Sequence, residues 1–210
     1  MTPPAGPIAP TAPTHLLYLH GFRSSPQSFK ARRLSEWLAL NRPEVHWWCP
    51  QLPASPREAM ALVFDGIRDW PRQGPAVLGS SLGGFYASAV AEATGWPVVL
   101  MNPAVSPARD LASWVGEQPQ FHDPGQTLHF KPEHIAELQA LTTQSLTQPE
   151  RYLTVIAKGD QQLSWQEMSA RYPGTAQRLI EGSDHGLSDL EVHLPHILRF
   201  LQLIPKPPCD

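Results

Sequence analysis

The chain has 210 residues, of which 41% are hydrophobic and 17% charged, enough apolar material for a packed core and too few charges for a disordered polyelectrolyte. With 16 basic and 19 acidic side chains the formal charge is −3, so no cationic surplus exists to neutralise a phosphate backbone, and nucleic-acid binding is not expected. No apolar run nears the roughly 18 residues of a membrane-spanning helix, and the two cysteines, Cys49 and Cys209, can build neither a disulfide framework nor a four-cysteine zinc site.

Residues 1–14 carry prolines at 3, 4, 7, 10 and 13 and lack the cationic start and apolar stretch of a secretion signal. They read as a disordered or polyproline-like extension, and a cytoplasmic, reducing setting is expected. The apolar run at 16–19 reads as a strand ending at His20-Gly21. Ser25-Pro26 then offers a helix cap and a first-position proline, with Leu34, Trp37 and Leu38 at helical spacing. A second strand is expected at 45–49, with Cys49 as a buried small hydrophobe. Ser55-Pro56-Arg57-Glu58 is a capping box, followed by Met60, Val63, Phe64 and Ile67 along one helical stripe. Residues 76–78 form a third strand, 82–93 a small-residue helix stopped near Gly95, and 98–101 a fourth strand between Pro97 and Pro103.

About fifty residues, 104–151, separate this strand from the next, far more than a usual crossover needs. Residues 133–141 are patterned as a helix and 118–125 look irregular, so the segment reads as a cap inserted where parallel sheets open their ligand crevice. Strands at 152–157 and 176–180 flank a helix opened by a second box, Ser164 to Glu167. A last helix carries Leu194, Ile197, Leu198 and Leu201, with Pro195 in its first turn. Strands alternating with helices demand crossovers, hence a mostly parallel sheet of about six strands with helices on both faces. The expected organisation is one α/β domain over 15–204, cap insertion included, with a short tail at 205–210.

The chemistry begins at Gly79-Ser80-Ser81-Leu82-Gly83, a Gly-x-Ser-x-Gly with Ser81 at its centre. A strand that turns abruptly into a helix strains the apex residue and lifts its hydroxyl above the sheet, and glycines two before and two after relieve the crowding. Asp160 follows the 152–157 strand, and His185 follows the 176–180 strand, so acid and base both reach the same sheet edge. A serine hydroxyl needs a neutral imidazole to take its proton, and the imidazole needs an acid to hold its tautomer. Asp160 is the preferred acid; Asp184, adjacent to the histidine, is the rival. Negative charge developing on the substrate needs two backbone N–H donors, expected from Leu82 and Phe22, with Arg23 as a weaker candidate. His20 is expected to support the Phe22 loop through hydrogen bonds.

Other features carry less. His193 and His196, or His122, His129 and His134, lack a metal-ligand pattern, and the glycines from 79 to 84 lack the ending of a nucleotide loop, so no metal and no cofactor are expected. Taken singly, Ser81 could cap a helix, His185 could sit on the surface and Asp160 could close a turn. All the pieces in order, each just past a strand, favour catalysis.

Tyr18-Leu19-His20-Gly21-Phe22, Ser24-Ser25-Pro26, the stretch from Gly79 to Ala87, Met101-Asn102-Pro103-Ala104-Val105, Gly159-Asp160 and Asp184-His185 together resemble the small bacterial α/β-hydrolase esterases of the YqiA/YcfP type. The resemblance spans roughly 16–203 and implies an α/β-hydrolase fold, an esterase acting on small acyl esters, and Ser81, Asp160 and His185 at the catalytic positions. Arg23, Gln161 and Ser183 depart from the family pattern, where asparagine, an acid and glycine are usual. The expected function is therefore a serine esterase cleaving short acyl carboxylic esters through an acyl-enzyme. An acyl thioesterase, or a non-catalytic binding protein on the same scaffold, is the alternative. The expected partner is a small-molecule ester, with no nucleic acid and no membrane; no substrate-binding residue and no oligomeric state follow from the sequence.

Overall fold

A computed structural model describes residues 12–123, 125–143 and 145–205. The proline-rich stretch at 1–11 and the tail at 206–210, with Cys209, lie outside the described residues. In chain order the elements are β1 (His15–Leu19), α1 (Phe29–Asn41), β2 (His46–Trp48), α2 (Pro56–Gly66), β3 (Pro75–Ser80), α3 (Leu82–Thr94) and β4 (Val98–Met101). Next come α4 (Pro107–Asp110), β5 (Gly116–Pro119), β6 (Thr127–Phe130), α5 (Pro132–Ala140), β7 (Tyr152–Ala157), α6 (Trp165–Arg171), β8 (Ala176–Ile180) and α7 (Leu190–Phe200).

Six strands form one sheet in the order β2-β1-β3-β4-β7-β8, each pair parallel. Because side chains alternate across a pleat, each central strand feeds two cores. Leu17, Leu19, Val77, Val98 and Leu100 pack with α2 and α3 on one face. Leu16, Tyr18, Leu78, Val99 and Met101 pack with α1 and α7 on the other. Burial on both faces is why these strands read as unbroken apolar runs. Strand order reverses at β1 and β3, and the crevice above such a reversal is where open α/β sheets bind ligands.

Several expectations are corrected. The first helix starts at Phe29 with Ser28 as its cap. Ser25 and Pro26 instead form a turn, the Ser28 amide donating to the Ser25 carbonyl at 3.0 Å, with proline at the position whose φ suits it. The last helix starts at Leu190, so Pro195 lies inside it; its ring nitrogen cannot donate to Glu191, and buried Leu190, Leu194, Ile197 and Leu198 hold the helix nonetheless. The stretch expected to be irregular, 118–125, begins inside β5, which pairs antiparallel with β6 from Gly116↔Phe130 to Pro119↔Thr127. Polar, exposed residues hide such a hairpin from any apolar pattern. Cys49 is half-buried beyond the end of β2 rather than in the core, and Phe64, on the outer side of α2, is 40% exposed. At α2 the Ser55 hydroxyl accepts from the Glu58 amide, as a cap should, but it donates to Glu137 of α5, tying the cap segment to the body. Thr14, expected in the extension, bridges Gly74 and His46 through its backbone.

Candidate active site

Ser81 stands between β3 and α3 with φ 56° and ψ −124°, a strained conformation for a residue with a side chain. Its neighbours hold it there. Its N–H donates to the Met101 carbonyl at 3.0 Å, and its carbonyl accepts from Gly84 at 2.9 Å and Ala104 at 3.0 Å. The flanking glycines are obligatory for separate reasons. A Cβ on Gly79 would lie 2.5 Å from the Gly83 carbonyl carbon and 2.7 Å from Ala87. One on Gly83 would strike the backbone of β1, 2.6 Å from the His20 carbonyl oxygen and closer still to that of Leu19. Close approach of α3 to β1 thus brings Ser81 beside the loop at Gly21 and Phe22.

The three side chains read from the sequence come together here. His185 Nδ1 donates to Asp160 Oδ2 at 2.7 Å, which leaves Nε2 as the acceptor facing Ser81 Oγ at 3.0 Å. The other oxygen of Asp160 accepts the amides of Gln162 and Leu163, both at 2.8 Å, and the carboxyl is fully buried while the imidazole is 14% exposed. Asp184, the rival acid, turns away and caps the Ser188 amide at 3.0 Å, which holds its carboxyl below the usual range. Ser183, standing where glycine is usual, takes a positive φ of 59°, and its hydroxyl donates to Asp189.

Leu82 opens α3, so its N–H has no partner within the helix, and neither it nor the Phe22 N–H donates to another backbone group among the described residues. Both residues line the cleft above Ser81. His20 is buried below this loop. Nδ1 donates to the Gly21 carbonyl at 3.0 Å, and Nε2 accepts the Leu52 amide at 3.1 Å. Burial pushes its pKa down to about 4, so it is a neutral brace and not a base for Ser81.

Two residues have structural roles that the sequence reading did not assign. Asn102, fully buried and with φ 42°, donates from its amide to the carbonyls of Asp184 at 3.0 Å and His185 at 3.1 Å, and accepts the Ala157 N–H at 2.8 Å. One side chain therefore ties the end of β4 to the end of β7 and to the histidine loop. A polar asparagine directly after an apolar strand was the available signal. Arg23 is the second. Its Nε donates to the Pro119 carbonyl at 2.8 Å, its guanidinium lies 4.4 Å from the Phe121 ring centroid and 5.2 Å from that of Trp114, and its carbonyl accepts the Phe121 amide at 2.9 Å. It fastens the β5–β6 hairpin over the site.

The cleft measures about 710 Å³, within the range of small-molecule sites. Phe22, Leu82, Leu111, Trp114, Phe121 and Leu163 give it largely apolar walls.

Six parallel strands, helices on both faces and a serine at a sharp strand–helix turn define the α/β-hydrolase fold. Solved structures agree at low sequence identity. Alpha/beta hydrolase domain-containing protein 10 from mouse superposes with a TM-score of 0.67 at 15% identity, covering 91% of this chain and 92% of that one. Est1E from Butyrivibrio proteoclasticus with ferulic acid bound gives 0.66 at 17% identity, over 90% and 88% of the two chains. A Paleococcus ferrophilus monoacylglycerol lipase gives 0.65 at 14% identity, over 93% and 97%. The chain belongs to the uncharacterised protein family UPF0227, the YqiA/YcfP family, whose model matches residues 15–202.

Proposed function

We propose that the protein is a serine hydrolase that cleaves small carboxylic esters through an acyl-enzyme intermediate. The observation that supports this best is the continuous hydrogen-bonded chain from Ser81 Oγ through His185 to Asp160, with spacings of 3.0 and 2.7 Å. As Ser81 Oγ attacks the ester carbon, its proton passes to His185 Nε2, and Asp160 stabilises the imidazolium that results. The carbonyl oxygen, now negative, is received by the N–H groups of Leu82 and Phe22, each such donor being worth about 3 kcal/mol in the transition state. The tetrahedral centre collapses, the C–O bond to the alcohol breaks, and His185 returns the proton to the departing oxygen. Water, deprotonated by His185, then attacks the acyl carbon, the bond to Ser81 Oγ breaks, and His185 returns the proton to that oxygen as the acid leaves.

An esterase is favoured over a binding protein because the strained Ser81 backbone is costly and useless unless its hydroxyl is put to work. The same triad would also open a thioester. Ser81→Ala should abolish hydrolysis of a short-chain aryl ester while leaving the melting temperature intact; retained turnover would refute the assignment. Matched oxygen and thiol esters, compared by kcat/KM, separate esterase from thioesterase.

A further inference from the structure

The charges around the cleft are unlike those of the chain as a whole. The protein carries a net charge of −3, yet two cations line the cavity, Lys30 and Arg23, and neither has a carboxylate oxygen within 4.0 Å among the described residues. Arg23 is occupied with the hairpin, as described above. Lys30 is not. Second residue of α1, it donates from Nζ to the Gly186 carbonyl at 2.5 Å, one residue beyond His185, on the wall that also holds Ser81 and His185. An ammonium has three N–H donors, and that carbonyl takes one.

Burial pushes the Lys30 pKa down to about 8, against a weaker pull from Asp184 and Asp160. Lys30 is half-buried, and the cost of thinning the water around its ammonium is recovered when an anion arrives. The nearby acids do not fill that role, and Asp184 is occupied with the Ser188 amide at 3.0 Å. Asp160 is wholly buried beneath His185, and Asp110 has one oxygen on Arg109 Nε at 2.8 Å. The second Asp110 oxygen is buried without a partner, on the cap side of the cavity. The walls between are largely apolar, and two spare N–H donors suit a singly charged carboxylate better than a phosphate, which has more oxygens to satisfy.

We infer that the preferred substrate is an ester that bears a second, free carboxylate, and that Lys30 is the residue that recognises it. This rests on the hydrolase reading above. The reacting ester sits over Ser81 while the carboxylate lies on the α1 side of the cleft, and Lys30 fixes orientation without exchanging a proton.

The test compares kcat/KM for 4-nitrophenyl hydrogen adipate against its neutral methyl ester, and for 4-acetoxybenzoate against its methyl ester, placing the charge on the acyl or the alcohol side. In the unaltered protein at least one charged member should be favoured over its neutral partner. In Lys30→Gln that charged-to-neutral ratio should fall about tenfold, the scale of one hydrogen bond to a charged group. No preference for charge in either pair, or a preference that Lys30→Gln leaves untouched, overturns the proposal. Calorimetric titration of the Ser81→Ala protein with adipate needs no turnover: binding that weakens with salt is expected, and no binding at low salt also overturns it. If no ester is hydrolysed at all, the hydrolase reading fails, and the adipate titration still judges the anion site by itself.

Discussion

Asn102 and His185 are joined by a hydrogen bond of 3.1 Å, the asparagine amide donating to the histidine's own carbonyl, although 83 residues separate them in the chain. Since the same amide holds Asp184, and its oxygen holds Ala157 at the end of β7, the position of the imidazole depends on a residue that never touches the reacting atoms. Asn102→Asp keeps the size and the acceptor but places a negative oxygen against two carbonyls. We expect kcat to fall about a hundredfold with little change in KM, as small misplacements of a catalytic group do, and stability to fall by about 1–3 kcal/mol. Steady-state kinetics together with urea unfolding check both.

Gly83 lets α3 approach β1 more closely than any side chain would allow. Gly83→Ala forces its methyl group against the Leu19 and His20 carbonyls, neither of which can rotate away. The expected loss is about 3 kcal/mol or more, at the upper end for overpacking, read as a drop in thermal midpoint with the far-ultraviolet spectrum of the folded state preserved below it.

His20 makes stability depend on acid. Its folded pKa, about 4, lies below the ordinary value of 6.5 because burial disfavours the charged form. The unfolded chain therefore binds the extra proton first. The contribution of His20 is complete above about pH 6.5 and is lost as pH falls toward 4, at most about 3 kcal/mol across that window. Urea midpoints measured at pH 7 and pH 4.5 should show this loss, and His20→Gln, less stable at pH 7, should lose less of its remaining stability on acidification.

Arg23 couples the hairpin to the Phe22 loop. Arg23→Ala removes the contacts to Pro119, Trp114 and Phe121 at once. Two cation–ring contacts near the surface are worth about 1 kcal/mol or somewhat more together. Amide exchange within β5 and β6 should quicken about tenfold, while exchange in β3 and β4 stays as it was.

The middle of the sheet was legible because its central strands are buried on both faces. Residues 98–101 are apolar throughout and 152–157 are apolar but for Thr154, and their limits match β4 and β7. Ser81, Asp160 and His185 could be read because each follows a strand at the same edge. What failed was local and polar. The β5–β6 hairpin offers backbone pairing with only Phe130 buried, so it leaves no apolar period. Pro195 sits in the middle of a helix because burial of its neighbours outweighs a missing hydrogen bond, a balance that propensity alone cannot express. Asn102 and Lys30 act through contacts with residues far along the chain, and nothing in their immediate neighbours announces those partners.

The central claim is that the Ser81 hydroxyl is a nucleophile activated by His185. A fluorophosphonate probe followed by peptide mass spectrometry tests it most directly. The account predicts stoichiometric covalent labelling of Ser81 at neutral pH, slowed at least about a hundredfold in His185→Ala, where the base is gone. An unlabelled Ser81 in folded protein, or labelling at the same rate without the imidazole, would contradict it.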